Sequence, residues 1–283
     1  MSPGWLSVTP GVAPLVVSLP HTGTLLPAEI EARVVSPWLA RKDTDWWVDR
    51  LYDAAYGLGA TVVHTAMSRT VVDVNRDPDG QPLYPGQTTT ALCPTETFDG
   101  ELIYAAGREP TAPEIAERRR TWFAPYHAAL GAELARLTSW HPRVVLYDCH
   151  SIRSVIPRLF DGELPQFNIG TNDGVSCDRT LTRAIERVCD ATGLSHVTNG
   201  RFKGGYITRH HGRPDAGVHA VQMELACRGY MHEPPMAGPA TWPGDYDEAR
   251  AAGMKDTLAR VLEAASAWAV DGPAAESPFE VTP

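Results

Sequence analysis

Histidine side chains bind divalent metals and carry protons, and two of this chain's histidines stand where a sheet would present them to substrate. Ser18-Leu19-Pro20-His21 follows the apolar run Leu15-Val16-Val17, and Asp148-Cys149-His150-Ser151 follows Val144-Val145-Leu146-Tyr147. In an open α/β sheet, ligands bind in the crevice beyond the carboxyl ends of the strands. Two imidazoles delivered there by different strands supply part of a catalytic metal centre, which needs a third protein ligand and leaves a position for water. A histidine is more often a hydrogen-bonded structural residue, and that reading suits His64, His127, His141, His196 and His232, which lack this setting. Asp148, two residues before His150, shares its strand face and could orient the imidazole from behind.

Carboxylates for the third position lie in Arg41-Lys42-Asp43-Thr44-Asp45-Trp46-Trp47. Asp43, Thr44 and Asp45 are all helix-opening residue types, stabilised there by exposed N–H groups and the helix dipole. One aspartate suffices as a cap, so the other is spare; Asp45 is taken as ligand and Asp43 as cap, although spacing alone leaves the two exchangeable. Ser68 to Pro78 brings Arg69, Asn75 and Arg76 together, with Asn75 and Arg76 at the carboxyl end of an apolar stretch. An arginine fork takes a carboxylate in bidentate fashion, and an asparagine adds a directional amide. Asn199 to Gly212 combines glycines, aromatics and Arg201, Lys203 and Arg209, as a loop closing on an anion would. Its His210-His211 pair can direct at most one ring to the site, because neighbouring side chains in an extended segment diverge. Glu224 stands between Met223 and Leu225. Partial burial there would raise its pKa, as a general base requires, although a glutamate on the polar face of a helix start fits equally well.

These residues need a scaffold, and the hydrophobic pattern supplies one. Strands are expected over 13–19, 60–64, 70–74, 144–147 and 195–198, and helices over 44–58, 112–139, 178–193 and 246–270. Residues 218–226 carry both signals, and 77–100, rich in Pro, Gly, Asp and Thr, read as a long functional loop. Alternating strands and helices predict an α/β fold, a three-layer α/β/α sandwich around a mixed, largely parallel sheet. The 283 residues read as a single domain over 1–283, with a loose tail over 272–283.

Composition narrows the partners. A formal net charge of −9 argues against nucleic acid or an anionic membrane, while a few local arginines can still hold a small anion. No apolar run approaches the length of a membrane span. Met1-Ser2-Pro3-Gly4-Trp5 lacks the features of a secretion signal, and five scattered cysteines without a CxxC pair read as reduced thiols, so a cytoplasmic location is expected. There is no GxxxxGK[ST] or GxGxxG for a nucleotide and no GxSxG for a serine hydrolase.

Taken together, SLPHTG at 18–23, KDTDWWVDRLYD at 42–53, SRTVVDVNRDPDGQPLYPG at 68–86, the long stretch from DCHS at 148 to 178, NGRFKGGYITRHHGRP from 199 and VHAVQMELACRGYM up to 231 resemble the N-formylglutamate amidohydrolase (deformylase) family. The resemblance covers most of residues 14–231. It implies a phosphorylase/hydrolase-like α/β/α fold, related to zinc carboxypeptidases and aspartoacylases, and metal-dependent hydrolysis of N-formyl-L-glutamate to formate and L-glutamate within histidine degradation. His21 and His150 match the family's metal ligands. Carboxypeptidase-like relatives take a glutamate three residues after the first histidine; Thr24 stands there in this chain, and Asp45 is the implied replacement. Glu224 matches the catalytic glutamate. Arg69 would polarise the scissile carbonyl, Asn75 and Arg76 would hold a substrate carboxylate, and Arg209 and Arg153 would hold the second one. One divalent ion, foremost Zn2+, is implied, although two histidines and a carboxylate also suit iron, cobalt or manganese. Two other functions compete: hydrolysis of another N-acyl acidic amino acid, and non-catalytic binding of acidic amino acids on the same scaffold.

Overall fold

A computed structural model describes residues 4–81 and 90–272; most of the expected C-terminal tail and the middle of the long 77–100 loop fall outside the described residues. The strands are β1 (Leu6–Thr9), β2 (Leu15–Leu19), β3 (Thr61–Thr65), β4 (Val144–Ile152), β5 (Phe167–Gly170), β6 (His196–Thr198) and β7 (Val218–Ala226). They form one seven-stranded sheet in the order β1-β3-β2-β4-β7-β5-β6. The central β3, β2, β4 and β7 run parallel, while β1 joins β3 and β5 joins β7 antiparallel. The helices are α1 (Ala28–Glu31), α2 (Val48–Leu51), α3 (Ala54–Gly57), α4 (Ala112–Arg118), α5 (Ala124–Thr138), α6 (Arg179–Asp190), α7 (Tyr206–His211) and α8 (Glu248–Asp271). A π-helical turn over Arg119–Phe123 joins α4 to α5.

Alternation along the central strands divides the core into two layers. Leu15, Val17, Leu19, Val145, Tyr147, Cys149, Val221, Met223 and Leu225 pack with α2, α3, α6 and α8. Val16, Val144, Leu146, Val218 and Ala220 face α5 and α7 from the opposite side. This is the expected α/β/α arrangement. Period two places Ser18, Asp148, His150, Gln222 and Glu224 on the α5–α7 side as well. That face is therefore apolar at the amino ends of the strands and polar at the carboxyl ends. The five cysteines are buried and free. Among the described residues, no helix is long and apolar enough to cross a membrane.

Several expectations are corrected. The helix predicted over 44–58 is two short pieces, α2 and α3, because Trp47 takes a left-handed conformation with φ 64° ahead of α2 and its indole donates to the Gly244 carbonyl. Asp43 therefore caps nothing; it accepts the Phe98 backbone N–H at 2.7 Å. Residues 70–74 form buried turns instead of a strand. Side chains satisfy that backbone: Arg118 donates to the Val71 carbonyl, His127 to the Val74 carbonyl, and Asp73 accepts the Asn75 N–H. The ambiguous 218–226 is entirely strand, so Glu224 starts no helix. The patterns of β1, β5 and the short α7, which replaces part of the expected 199–212 loop, were too brief to read.

After β2 the chain runs past 66–68, with Leu25 N–H bonded to Ala66 O and Ser68 N–H to Leu25 O. Gly23 makes this approach feasible, since a Cβ there would lie 2.3 Å from the Ala66 carbonyl carbon and 2.5 Å from the Met67 oxygen. Gly23→Ala should cost about 1–3 kcal/mol, read as a lowered Tm. Gly57→Ala, whose Cβ meets nothing within 4 Å, is the control and should leave Tm nearly unchanged.

Candidate active site

Strand register assembles the centre. In the parallel β4–β7 pair, Asp148 stands beside Gln222 and His150 beside Glu224. His21 follows β2, the other neighbour of β4, and its carbonyl accepts the Asp45 backbone N–H at 3.0 Å. That bond turns Asp45 inward, away from any helix start. The three side chains converge in a buried cluster. His150 Nδ1 lies 3.1 Å from His21 Nδ1 and 3.1 Å from Asp45 Oδ2, and His21 Nδ1 is 3.6 Å from the same oxygen. Three ligands of a tetrahedral zinc ion at about 2.0–2.1 Å would be separated by roughly 3.3 Å. His21, Asp45 and His150 thus form a triad able to hold a metal ion, and Asp45, not Asp43, is its carboxylate.

Each histidine turns Nδ1 to the cluster and Nε2 to a buried carboxylate: His21 to Asp73 at 2.7 Å, His150 to Asp148 at 2.9 Å. Such pairs fix the tautomer and strengthen the ligand. Asp148 also accepts from Ser18, whose hydroxyl meets Tyr126 OH. Asp73 also pairs with Arg69 at 2.7 Å. Asp148's role was readable from its spacing to His150. Asp73 was not recognised, because Val-Val-Asp-Val reads as strand; a lone aspartate inside an apolar run was the available signal.

The charge states follow from these contacts. Burial alone would raise the Asp73 carboxyl, but Arg76, His21 and Arg69 outweigh it and hold its pKa well below the usual range. Burial likewise opposes ionisation of Asp45, and hydrogen bonds from His150 and His21 overcome it. For His150, desolvation is outweighed by Asp148 and Asp45, which raise its pKa well above the ordinary value. A metal ion at Nδ1 must displace that proton. Glu224 is different. No cation bonds it directly: desolvation, to which Asp45 adds, outweighs the charges of neighbouring His150 and of Arg69 and Arg76 and raises its carboxyl to about 7, with Gln222 donating to Oε2 at 3.1 Å. A buried carboxyl poised near neutrality beside a ligand histidine can take and return a proton.

A cleft of about 260 Å³ opens over this floor, lined by His21, His150, Glu224, Arg69, Asn75 and Arg76 among others. Arg69 is held by Asp73, by Asp45 at 3.4 Å and under the Phe98 ring at 4.9 Å. Asn75 lies in the wall with its amide engaged on both sides, accepting from Ile207 N–H at 2.8 Å and donating to Asp148 at 3.3 Å. Arg76 bonds Thr90 and the Asn75 carbonyl. Two expected anion holders are not brought to the cleft. Arg153 faces a separate cavity and pairs with Asp99 at 2.7 Å; Arg209, on α7, donates to the Gly204 carbonyl. His210 and His211 also stay away from the triad, with His211 Nε2 2.9 Å from His127 Nδ1. Arg158 and Arg201 also line the cleft; Arg201 belongs to the 199–212 segment expected to close on an anion, whereas Arg158 carried no such signal.

A poised glutamate beside a triad able to hold a metal ion, on the carboxyl edge of a mixed sheet, is the arrangement of an α/β hydrolase. A family model described as N-formylglutamate amidohydrolase matches residues 13–231. The N-formylglutamate deformylase of Pseudomonas aeruginosa is 46% identical over 258 residues, covering 91% of this chain and 96% of that one. That of Pseudomonas putida is 44% identical over 267 residues, covering 94% and 97%. The fold matches the crystal structure of N-formylglutamate amidohydrolase from Ralstonia eutropha with TM-score 0.77 and 24% identity, over 94% of this chain and 98% of that one. A gene product of Agrobacterium tumefaciens matches with TM-score 0.70 and 17% identity, over 93% and 95%. The chain belongs to the N-formylglutamate amidohydrolase family.

Two outcomes follow. Asp73→Asn leaves the triad in place but removes the negative charge behind His21, so metal affinity should fall about 10–100-fold, measured by competition with a chromogenic chelator. The folded pKa of Glu224, about 7, exceeds the ordinary 4.5, so its stabilising protonation is complete below the unfolded pKa and lost as pH rises through 7. Glu224→Gln, neutral throughout, should raise the Tm of chelator-treated protein by a few degrees at pH 8 and leave it unchanged at pH 4.

Proposed function

We propose that this protein hydrolyses N-formyl-L-glutamate to formate and L-glutamate, within histidine degradation, as a single-domain cytoplasmic enzyme that uses one divalent metal ion, Zn2+ foremost. The observation that carries the reading is the register that sets Glu224 beside His150 on the floor of an arginine-walled cleft. The relatives' name supports the substrate.

His21, Asp45 and His150 would hold the ion; two imidazole nitrogens and one carboxylate oxygen, each histidine backed by a carboxylate, are a donor set that zinc accepts. When bound, the ion supplies Lewis acidity and lowers the pKa of water towards neutrality. Glu224 takes the proton of the attacking water and returns one to the leaving amine, which its near-neutral pKa permits in both directions. Arg69, held rigid by Asp73 and Asp45, directs positive charge at the oxyanion as it forms. Arg76, which adjoins Asn75 in the wall, takes the α-carboxylate. Asn75 positions His150 through Asp148.

Formate release from N-formyl-L-glutamate tests the proposal. Purified protein should be active, lose activity to a chelator and regain it with Zn2+, and Glu224→Gln should lower kcat by at least about 100-fold while retaining metal. A folded, metal-loaded protein that releases no formate would overturn it and favour another N-acyl acidic amino acid or a binding role.

A further inference from the structure

The family assignment leaves open what reads the far end of the substrate, and the residues expected to do so from sequence face elsewhere. Among the described residues, Arg69, Arg76, Arg158 and Arg201 line the cleft. Two of them, Arg69 and Arg76, adjoin the triad through Asp45 and Asp73. The other two stand on a wall made by 158–160 and 201–202. Arg158 is surface-exposed in part, and its charge is met by Glu96 at 2.5 Å, with a second bond to the Thr97 carbonyl. Arg201 is half-buried. Its Nε–H donates to the Leu159 carbonyl at 2.9 Å, and its guanidinium lies 5.3 Å from the centre of the Phe202 ring. Phe202 meets Phe160 edge-on at 6.2 Å. The guanidinium is thereby held by a backbone acceptor on one segment of the wall and an aromatic ring on the other.

We infer that Arg201 is the specificity-determining residue that receives the side-chain carboxylate of the acyl amino acid, with Leu159 and Phe202 flanking its methylenes. This rests on the proposed substrate. The α-carboxylate lies three bonds from the formyl carbon and the side-chain carboxylate five, so the two carboxylates meet different parts of the cleft lining. A planar guanidinium already oriented by Leu159 offers a bidentate fork without losing much freedom on binding, and an apolar flank strengthens a charge-assisted bond. Arg158, exposed at the rim where water screens its charge, contributes less.

The test compares kcat/KM for N-formyl-L-glutamate and N-formyl-L-glutamine in metal-loaded wild type, Arg201→Met, Arg201→Lys and Arg158→Met. Wild type should prefer the dicarboxylate. Arg201→Met should reduce that preference by about 100-fold or more, mainly through KM, and Arg201→Lys should restore part of it. Arg158→Met should keep most of the preference. Equal losses on both substrates in Arg201→Met, or a collapse of preference only in Arg158→Met, would overturn the inference; if Arg201→Met does not fold, Arg201→Lys with wild-type preference overturns it. Wild type without formate release from either substrate would instead defeat the proposed function, so the two failures are distinct.

Discussion

A carboxylate removed from water must be matched by positive charge, and Asp73 is where this chain meets that constraint. Its side chain is fully buried, and it serves His21, Arg69 and, at 3.8 Å, Arg76. His21 belongs to the triad, Arg69 also lies against Asp45, and Arg76 lines the cleft. The turns over 68–76 exist to hold this carboxylate in place. They are tied down by Arg118 and His127, which reach across from α4 and α5 to bond Val71 and Val74. Breaking a buried pair leaves an uncompensated charge, so the ligand set and the arginines stand or fall together.

The same logic separates Glu224 from its neighbours. Asp45, Asp73 and Glu224 are all buried, yet the first two are held ionised by cations bonded directly to them, while Glu224 has only an amide and more distant charges. Environment, not residue type, divides the acids into those that stay charged and one that can change charge near neutrality. That division is what a hydrolytic centre needs.

Much of this was legible beforehand. His21 and His150 could be read because apolar runs of strand length precede them and the ligand position beyond a strand is general to α/β sheets. The α/β/α class followed from alternation of strand and helix patterns. Asp45 was narrowed to one of two aspartates, and only the His21 carbonyl decides between them. Asp73 was hidden because its apolar neighbours mimic a strand while tertiary partners supply its backbone bonds. The helix over 44–58 failed at Trp47, whose left-handed backbone answers to a distant carbonyl and not to local propensity. The 199–212 segment was expected to close on an anion, but which of its cations would reach the cleft was not readable: Arg201 lines it and Arg209 does not, and Arg158, from a remote segment, joins Arg201 there.

The β4–β7 register has a wider consequence. A triad histidine and the proposed base occupy facing positions on two central parallel strands, so the spacing of their backbones is fixed by sheet geometry at about 4.8 Å. A slip of one residue would turn one of them to the opposite layer. The chemical centre therefore cannot be adjusted by degrees; it is all or nothing under insertion or deletion in either strand. The 158–160 and 201–202 wall is free of that restriction, being made of connecting segments. Divergence in this architecture should accumulate there, with new acyl amino acids admitted by changing the wall while the reacting core stays the same.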